Sequence, residues 1–362
     1  MSTPLIYHIM IDRFAGCDSK REGRRFKGGT LKGILGKLDY LQQLGCTSIM
    51  LTPFYKTAQY HGYHIVDYTQ VDEHFGSWVD VDNLVAEVHR RGMTITADFV
   101  ANHCHHTNQL VKEHPDWFKR DKEGQMACFE GISELPEFNL DHPDACQYMI
   151  ERAKELCLRG FDSIRLDYAK GPSLKFWKRF RAELKKEHPN VVLVGEVWGA
   201  PKGKRLPSEL SKAVREKRLS RQEAWQMRYS TVFDAVLDFV YHSLLCEAVH
   251  KRQSLIDNKT FQRKLVRHFG HYDSKSDSQL WLFLDNHDTN RFLFECRGNV
   301  DKLKDAIKLT MAQNRPYLFY YGTEKGMTHP KDRFATHPYG DEQVRECMKW
   351  KNEQIIQTIK EL

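Results

Sequence analysis

Short apolar runs rich in β-branched and aromatic residues alternate with longer amphipathic segments along the chain. Within the longer segments, apolar residues recur at intervals of three and four, which is the period of an α-helix with one buried face. The clearest such segments lie at 31–41, 81–88, 144–158, 173–187 and 301–313, and a last helix is predicted at 341–362. The apolar runs predict eight strands, at 5–11, 47–52, 93–100, 161–167, 191–196, 233–239, 280–285 and 317–321.

Eight strand–helix units in series predict an α/β fold, namely a (β/α)8 TIM barrel. A doubly wound open sheet is the competing architecture, and the regular repeat with polar residues after the strands favours the barrel. The barrel would comprise residues 1–103 and 143–362. The segment 104–142 after the third strand is rich in His, Pro, Lys and Asp and shows little strand pattern. It is predicted to form a small inserted subdomain over the barrel mouth, whereas 199–230 is basic and helix-like.

The composition is that of a globular protein, with 41% hydrophobic and 28% charged residues among 362. The formal net charge of +7 is spread along the chain, and its densest stretches, 202–205 and 215–221, are typical of solvated helix faces. No nucleic-acid-binding motif accompanies this charge, and no apolar run is long enough to span a bilayer. Neither nucleic acid nor a membrane is therefore an expected partner, and the pattern carries no prediction of oligomeric state.

The nine cysteines are odd in number and form no CxxC pair. Several of them, such as Cys46, Cys157 and Cys246, stand in helix-like or strand-like runs as small hydrophobic residues. Such usage is typical of a reducing compartment rather than of a disulfide framework. Because no signal peptide is visible before the first strand, we expect a cytoplasmic protein; secretion after removal of a leader is the alternative.

Charged side chains follow four of the predicted strands at their carboxyl ends. The third strand leads into Asp98–His103, the fourth into Arg165–Lys170, the fifth into Glu196–Trp198 and the seventh into Asp285–Asp288. A single carboxylate of this kind is commonly a helix cap or a member of an ion pair. Several of them on different strands at one end of a barrel are costly to bury without a function, and barrel enzymes build their sites there.

A set of carboxylates on neighbouring rigid strands suits the cleavage of glycosidic bonds. A retaining enzyme needs one carboxylate as nucleophile and a second as acid, roughly 5–5.5 Å apart. Arg165 and Asp167 are two residues apart and point to the same side of a strand, so we expect Arg165 to lower the pKa of Asp167. Glu196 precedes apolar Val197 and Trp198, and an apolar wall would raise its pKa, as an acid requires.

In these residues the chain resembles the α-amylase family of glycoside hydrolases. The resemblance covers residues 5–327, and its motifs occur in the family's order. Each motif is weak by itself, but together they are highly specific. The segments that carry it are 6–14, Tyr60–Tyr63 with Asp67–Tyr68, Asp98–His103, Leu135–Asn139, Gly160–Lys170, Gly195–Trp198, Phe283–Asp288 and Tyr320–Met327.

The resemblance implies a role for each matching side chain. Asp167 would be the nucleophile, Glu196 the acid/base and Asp288 the carboxylate that grips sugar hydroxyls in the transition state. Residue chemistry alone does not distinguish Asp288 from a second acid. Arg165 would orient the nucleophile. The remaining substrate-binding residues would be Tyr63 as a stacking platform, His103 and His287 on sugar hydroxyls, and Lys170 toward the leaving-group side. Apart from the resemblance, Trp198 after the acid and Trp117 in the insertion are candidate sugar platforms.

The chain departs from the family pattern in three places. Only about 40 residues follow the eighth strand, which leaves no room for the family's usual β-sandwich domain. Asn102 and Glu137 match two ligand positions of the family's structural calcium, but Gly171 stands where a histidine ligand often lies. No cofactor is therefore expected to be required, and calcium is an optional ligand. The adjacent pair Asp332–Arg333 lacks the family's spacing for substrate binding and receives no role.

Three functions remain open at this point. The first is a hydrolase that cleaves α-1,4 bonds of starch-type glucans or maltooligosaccharides by double displacement. The second is a glucanotransferase or a cyclodextrin or pullulan hydrolase on the same site. The third is a non-catalytic glucan-binding barrel, which loss of a carboxylate would signal. In addition, the run His103–His106 has no standard zinc-ligand spacing, so no zinc site is predicted from it.

Overall fold

The eight predicted strands are confirmed in a computed structural model, in which they form a closed barrel. The structure describes residues 4–21, 23–201, 204–251, 253–273, 279–335, 340–353 and 355–360, so part of the basic run at 202–205 lies outside the described residues. The strands are β1 Leu5–Ile9, β2 Ser48–Leu51, β3 Tyr55–Thr57, β4 Ile65–Val71, β5 Thr94–Phe99, β6 Ser163–Leu166, β7 Val192–Gly195, β8 Ala235–Leu237, β9 Gln279–Phe283 and β10 Tyr317–Tyr320. Each barrel strand pairs in parallel with its neighbours, in the order β1-β10-β9-β8-β7-β6-β5-β2.

Helices surround the barrel and bury their apolar stripes against it. Short 3-10 helices also occur at Pro115–Trp117, Phe129–Gly131 and Thr323–Lys325. No helix in the described ranges is both long and apolar enough to cross a membrane. The α-helices are α1 Ile11–Phe14, α2 Leu31–Leu35, α3 Leu38–Gln43, α4 Trp78–Arg90, α5 Gln109–Glu113, α6 Pro143–Leu158, α7 Leu174–Glu187, α8 Ser208–Arg215, α9 Arg221–Tyr229, α10 Phe239–Val249, α11 Lys259–Asp273, α12 Phe292–Glu295, α13 Val300–Met311, α14 Asp341–Val344 and α15 Ile356–Lys360.

The register of the barrel brings the polar strand ends to one place. Asp98 on β5 is paired with Arg165 on β6, and Leu166 on β6 is paired with Gly195 on β7. Asp167 and Glu196 are the next residues of these neighbouring strands. Because the strands are parallel and fully paired, the side chains that follow them leave the barrel at the same end.

Two elements differ from the sequence-based prediction. The loop after β2 contains an antiparallel hairpin of β3 and β4. It was not predicted because its pairing is short and irregular, so the sequence shows no regular alternation of apolar and polar residues there. The predicted helix at 341–362 is wrong, since α14 and α15 are short and separated by a loop. α14 ends at Val344, and the next residue, Arg345, donates to Asp288. In the loop that follows, Trp350 packs edge-to-face against Tyr40.

The insertion at 104–142 consists of α5, two 3-10 turns and short extended stretches. Isolated antiparallel bridges join His103 to Glu137 and Phe118 to Phe138. Buried aromatic rings, such as Phe118 stacked on Phe138 with centroids 4.6 Å apart, pack the insertion onto the main hydrophobic core. Its description as a separate subdomain stays a prediction.

A buried charged cluster joins three elements behind the barrel mouth. Asp238, at the end of β8, caps α10 by accepting backbone N–H bonds and lies 2.8 Å from Nε2 of His268 on α11. Nδ1 of His268 lies 3.2 Å from Glu223 on α9. Burial opposes protonation of His268, but the two carboxylates outweigh it and raise the pKa of His268 to about 9. The imidazolium therefore stabilises the packing of α9 and α11 on the barrel.

Candidate active site

Arg165 lies at the centre of the barrel mouth, and only 1% of its side chain is exposed. Its Nη1 donates to both carboxylate oxygens of Asp98, at 2.7 and 2.8 Å. Nη1 is also 2.9 Å from Oδ1 of Asp167, and Nη2 is 2.8 Å from Oε1 of Glu196. The backbone N–H of Tyr168 donates to the other oxygen of Glu196 at 2.9 Å. One buried guanidinium thus holds carboxylates from three adjacent strands together.

The Asp167 carboxyl is shifted toward its protonated form. Burial raises its pKa well above the usual value, and the neighbouring carboxylates of Glu196 and Asp98 act in the same direction against Arg165. Arg165 does lower the pKa of Asp167, as expected, but burial and the two neighbouring carboxylates outweigh it, so the net shift is upward. Like charges this close oppose the ionisation of Asp167, in the same direction as burial does.

Asp288 lies beside two arginine side chains, those of Arg345 and Arg333. Its Oδ1 accepts from Nη2 of Arg345 at 2.8 Å, and its Oδ2 is 2.9 Å from Nε2 of His287. Nε of Arg345 also donates to the backbone carbonyl of His287 at 2.8 Å, and its Nη1 donates to Asp341 at 2.8 Å. Burial alone would raise the pKa of Asp288, but His287, Arg345 and the nearby Arg333 lower it well below the usual value. Asp288 is therefore ionised in the same site in which Asp167 resists ionisation.

Aromatic and imidazole rings line the other side of the mouth. The ring of Tyr63 stacks on His287 with centroids 5.0 Å apart, and its hydroxyl donates to Asp98 at 2.7 Å. His103 stacks on Phe129 at 4.3 Å, and burial lowers the pKa of His103 to about 3, so its ring is neutral. Within the described ranges, the Nδ1 atoms of His103 and His287 are buried without a hydrogen-bond partner. Buried polar atoms are rarely left unpaired, so these two suit a ligand that brings hydroxyl groups.

Lys170 and Trp198 lie together at the rim. Nζ of Lys170 donates to the backbone carbonyl of Trp198 at 2.6 Å. The indole of Trp198 is 38% exposed and stacks on Phe239, with ring centroids 5.1 Å apart. Phe334 contacts the same indole edge-on at 6.1 Å. A supported and partly exposed indole offers an apolar face on which a sugar ring can stack.

Sequence reasoning missed Arg345 and Asp341 as members of the site. Their spacing of four residues is that of an ion pair on one face of a helix, which is common on protein surfaces and does not by itself indicate a functional site. Only the folded chain shows that Arg345 reaches Asp288, while Asp341 accepts from another nitrogen of the same guanidinium. The adjacent residues Asp332 and Arg333, to which no role was given, both contact Asn290. The carboxylate of Asp332 accepts from the side-chain amide of Asn290, and the backbone N–H of Arg333 donates to its side-chain oxygen.

Asn102 and Glu137, the predicted calcium ligands, lie against each other and beside two lysines. Nδ2 of Asn102 donates to Glu137 at 3.3 Å, and Nζ of Lys119 donates to the other oxygen of Glu137 at 2.9 Å. Nζ of Lys204 donates to the backbone carbonyls of residues 170–172 at 2.8, 3.2 and 2.8 Å. Two ammonium groups thus occupy Glu137 and the carbonyls of residues 170–172, and they would repel a hard cation. Oδ1 of Asn102, in contrast, is buried without a hydrogen-bond partner among the described residues. The two lysines therefore compete with a calcium ion for this region.

Close packing explains the glycine that replaces a histidine beside this region. A Cβ atom built on Gly171 would lie 2.1 Å from Oδ1 of Asn102 and 2.7 Å from the ring of Tyr168. Any larger residue would displace Asn102, so Gly171 is fixed by the close approach of these neighbours.

Comparison with known proteins gives a single family. The family model described as "Alpha amylase, catalytic domain" matches residues 8–126 and 112–357. α-Amylase 2 of Dictyoglomus thermophilum is 31% identical over 363 aligned positions, which cover 96% of this chain and 59% of that protein. Neopullulanase 2 of Thermoactinomyces vulgaris is 28% identical over 92% of this chain and 58% of its own length. The chain therefore spans less than two thirds of these relatives.

Solved structures agree with this result. The crystal structure of the α-amylase from Geobacillus thermoleovorans, complexed with acarbose, superimposes with a TM-score of 0.78 at 28% identity. The match covers 99% of this chain and 77% of that one. An Anoxybacillus α-amylase gives a TM-score of 0.80 at 27% identity over the same shares of the two chains.

Proposed function

Because the chain belongs to the α-amylase catalytic-domain family, we propose that it cleaves α-1,4-glucosidic bonds in starch-type glucans or maltooligosaccharides with retention of configuration. The observation that carries the proposal is the contact of one guanidinium, that of Arg165, with both Asp167 and Glu196. Two carboxylates on one guanidinium suit the short separation, roughly 5–5.5 Å, that retaining glycosidases use.

In the proposed first step, the carboxylate of Asp167 attacks the anomeric carbon. The bond from that carbon to the glycosidic oxygen breaks, and Glu196 transfers its proton to this oxygen. In the second step, Glu196 takes a proton from water, whose oxygen displaces Asp167 from the anomeric carbon. The glycosyl ester is thereby hydrolysed and Glu196 is protonated again.

The remaining residues bind the sugars. The ionised Asp288 and the neutral His103 hold hydroxyl groups of the sugar at the point of cleavage, together with His287. Tyr63 supplies an apolar face beside that sugar. Lys170 and Trp198 bind the leaving-group side, where the exposed indole receives the next sugar ring.

The test is activity on maltoheptaose with Asp167→Asn and Glu196→Gln, and with Asp116→Asn as a matched control on an exposed carboxylate. Each site variant is expected to lose at least about a hundredfold in kcat/KM, because loss of a general acid or nucleophile removes at least that much. The control is expected to retain full activity. A site variant with a near-normal rate, or a β-anomeric first product in proton NMR, refutes the assignment.

Transfer, or action on cyclodextrin or pullulan, is the second candidate on the same site. The partly exposed Trp198 favours it, because an aromatic platform on the leaving-group side can hold a sugar acceptor in place of water. One product profile on starch, pullulan and cyclodextrin distinguishes transfer, cyclodextrin hydrolysis and pullulan hydrolysis from one another. Transfer appears as oligosaccharides longer than the substrate. Glucan binding without release of reducing ends would instead indicate a non-catalytic barrel.

We further propose that the fold needs no calcium, because Lys119 and Lys204 supply the positive charge between the insertion and the barrel. Their ammonium groups neutralise Glu137 and satisfy the carbonyls of residues 170–172. Adding calcium chloride to metal-free protein is expected to leave both Tm and kcat unchanged. A calcium-dependent rise in either quantity contradicts the proposal.

A reducing compartment, and thus the cytoplasm, is the proposed location. All nine cysteines have free thiols, and five of them are buried. Burial raises the pKa of several of these thiols, such as Cys104, which keeps them in the unreactive protonated form. Fractionation of the source cells tests the proposal, and recovery of the protein from the medium contradicts it.

A further inference from the structure

Three side chains near the barrel mouth place possible metal ligands within reach of one ion. One ligand atom each from His64, His105 and Glu134 lies within 4.8 Å of the other two. His64 directly precedes β4, whereas His105 and Glu134 belong to the insertion. The proposed hydrolysis uses none of the three. Spacing along the run at 103–106 could not show the cluster, because His64 lies far upstream of it.

Backbone hydrogen bonds hold the three segments in register. The N–H of His105 donates to the carbonyl of Ile65 at 2.9 Å, next to His64. The N–H of His106 donates to the carbonyl of Glu134 at 2.8 Å. The backbone of each ligand is thus tied to its neighbour before any ion binds. A site whose ligands are already positioned loses little conformational entropy on binding.

The donor atoms are available for coordination. Nδ1 of His64 is buried and has no hydrogen-bond partner in the part of the chain that the structure describes. Nδ1 of His105 lies 2.7 Å from the hydroxyl of Thr107, which leaves Nε2 for an ion and fixes the ring, as the outer partners of metal-bound histidines do.

We propose that His64, His105 and Glu134 form a binding site for Zn²⁺. Two imidazoles and one carboxylate are a donor set that zinc accepts, with water as the fourth ligand. Tetrahedral zinc ligands at 2.0–2.1 Å from the ion lie about 3.4 Å from each other, so the donors must close by at most about 1.4 Å. The side chain of Glu134 is exposed and free to make this adjustment. The ion would fasten β4 to the insertion, beside the site residues Tyr63 and His103.

The test adds zinc to tag-free, metal-free protein. Isothermal titration calorimetry measures the binding, and Tm with and without zinc measures the gain in stability. The wild type is expected to bind one equivalent and to gain Tm on adding zinc. His64→Gln, His105→Gln and Glu134→Gln are each expected to weaken binding about tenfold or more, as loss of metal-supporting groups commonly does. His106→Gln is the matched control, since its ring lies 4.3 Å from that of His105 but outside the cluster. It is expected to bind zinc as the wild type does.

Tm of each metal-free variant shows whether it is folded. Glu134→Gln changes an exposed side chain, so it provides the decisive measurement even if a histidine variant unfolds. Absence of binding by the wild type overturns the proposal. Undiminished binding by folded Glu134→Gln and by the folded histidine variants also overturns it, as does equal weakening by His106→Gln. None of these outcomes depends on whether the barrel hydrolyses glucans.

Discussion

Arg345→Gln is expected to reduce kcat/KM and to move the acid limb of the pH profile upward. Arg345 is 6% exposed and makes hydrogen bonds of 2.8 Å to Asp288 and to the carbonyl of His287. It was not predicted as a site residue, and it reaches the site from the loop after the last barrel strand. The variant therefore tests whether the geometry of Asp288 depends on this contact.

The magnitude follows from the two bonds that act on the site. A hydrogen bond to a charged group contributes about 1.5–3 kcal/mol. The side chain of Asp288 is 25% exposed, so solvent screens the pair and the lower values apply. A total loss of about 2–3 kcal/mol corresponds to a decrease of about 30- to 160-fold in kcat/KM.

The direction of the pH effect follows from the sign of the pKa shift. Arg345 helps to hold the pKa of Asp288 low, so the active ionised form persists to low pH in the wild type. Without this cation the pKa of Asp288 rises, and activity is lost at a higher pH on the acid side. The assay is kcat/KM on maltoheptaose from acid to neutral pH, with Tm as a check on folding.

Arg24→Gln is the matched control for this experiment. Arg24 pairs with Asp341 at 3.1 Å, as Arg345 does, but it lies at the surface away from Asp288. It is expected to leave both the rate and the acid limb unchanged. If a folded Arg345→Gln protein behaves like this control, Arg345 does not support Asp288 and the reasoning is refuted.

Three further predictions concern packing, charge and substrate. Gly171→Ala places a Cβ 2.1 Å from Oδ1 of Asn102 and is expected to lower the free energy of unfolding by about 1–3 kcal/mol in urea. Gly270→Ala meets no atom within 4 Å and should not destabilise the protein, and equal stability of both variants contradicts this account. The pKa of His268 is raised from 6.5 to about 9, so its contribution of about 3 kcal/mol is full below pH 6.5 and is lost as pH rises through 9. Urea titrations of wild type and His268→Gln should converge over that range, and a constant difference refutes the linkage. Trp198→Ala should lower kcat/KM on maltoheptaose about fivefold, from the loss of about 1 kcal/mol of stacking, and an unchanged value removes Trp198 from the substrate site.

The sequence alone determined the barrel and the positions of its carboxylates. Each strand is a short apolar run, and the next helix has its own period, so both are readable from local pattern. Asp167 and Glu196 each follow such a run directly, and parallel pairing of neighbouring strands places both at one end. Their position therefore depends on topology that the alternation of elements already implies.

Tertiary structure decided how those residues are charged and what surrounds them. The pKa of Asp167 depends mainly on burial and on carboxylates from other strands, so the lowering by Arg165, which the sequence predicted correctly, does not set the net direction. Arg345 joins Asp288 across 57 residues, and His64 joins His105 across 41. The lysines beside Glu137 likewise come from separate loops. Loop residues are placed by packing rather than by a local period, so contacts of this range leave no signature in the order of the chain.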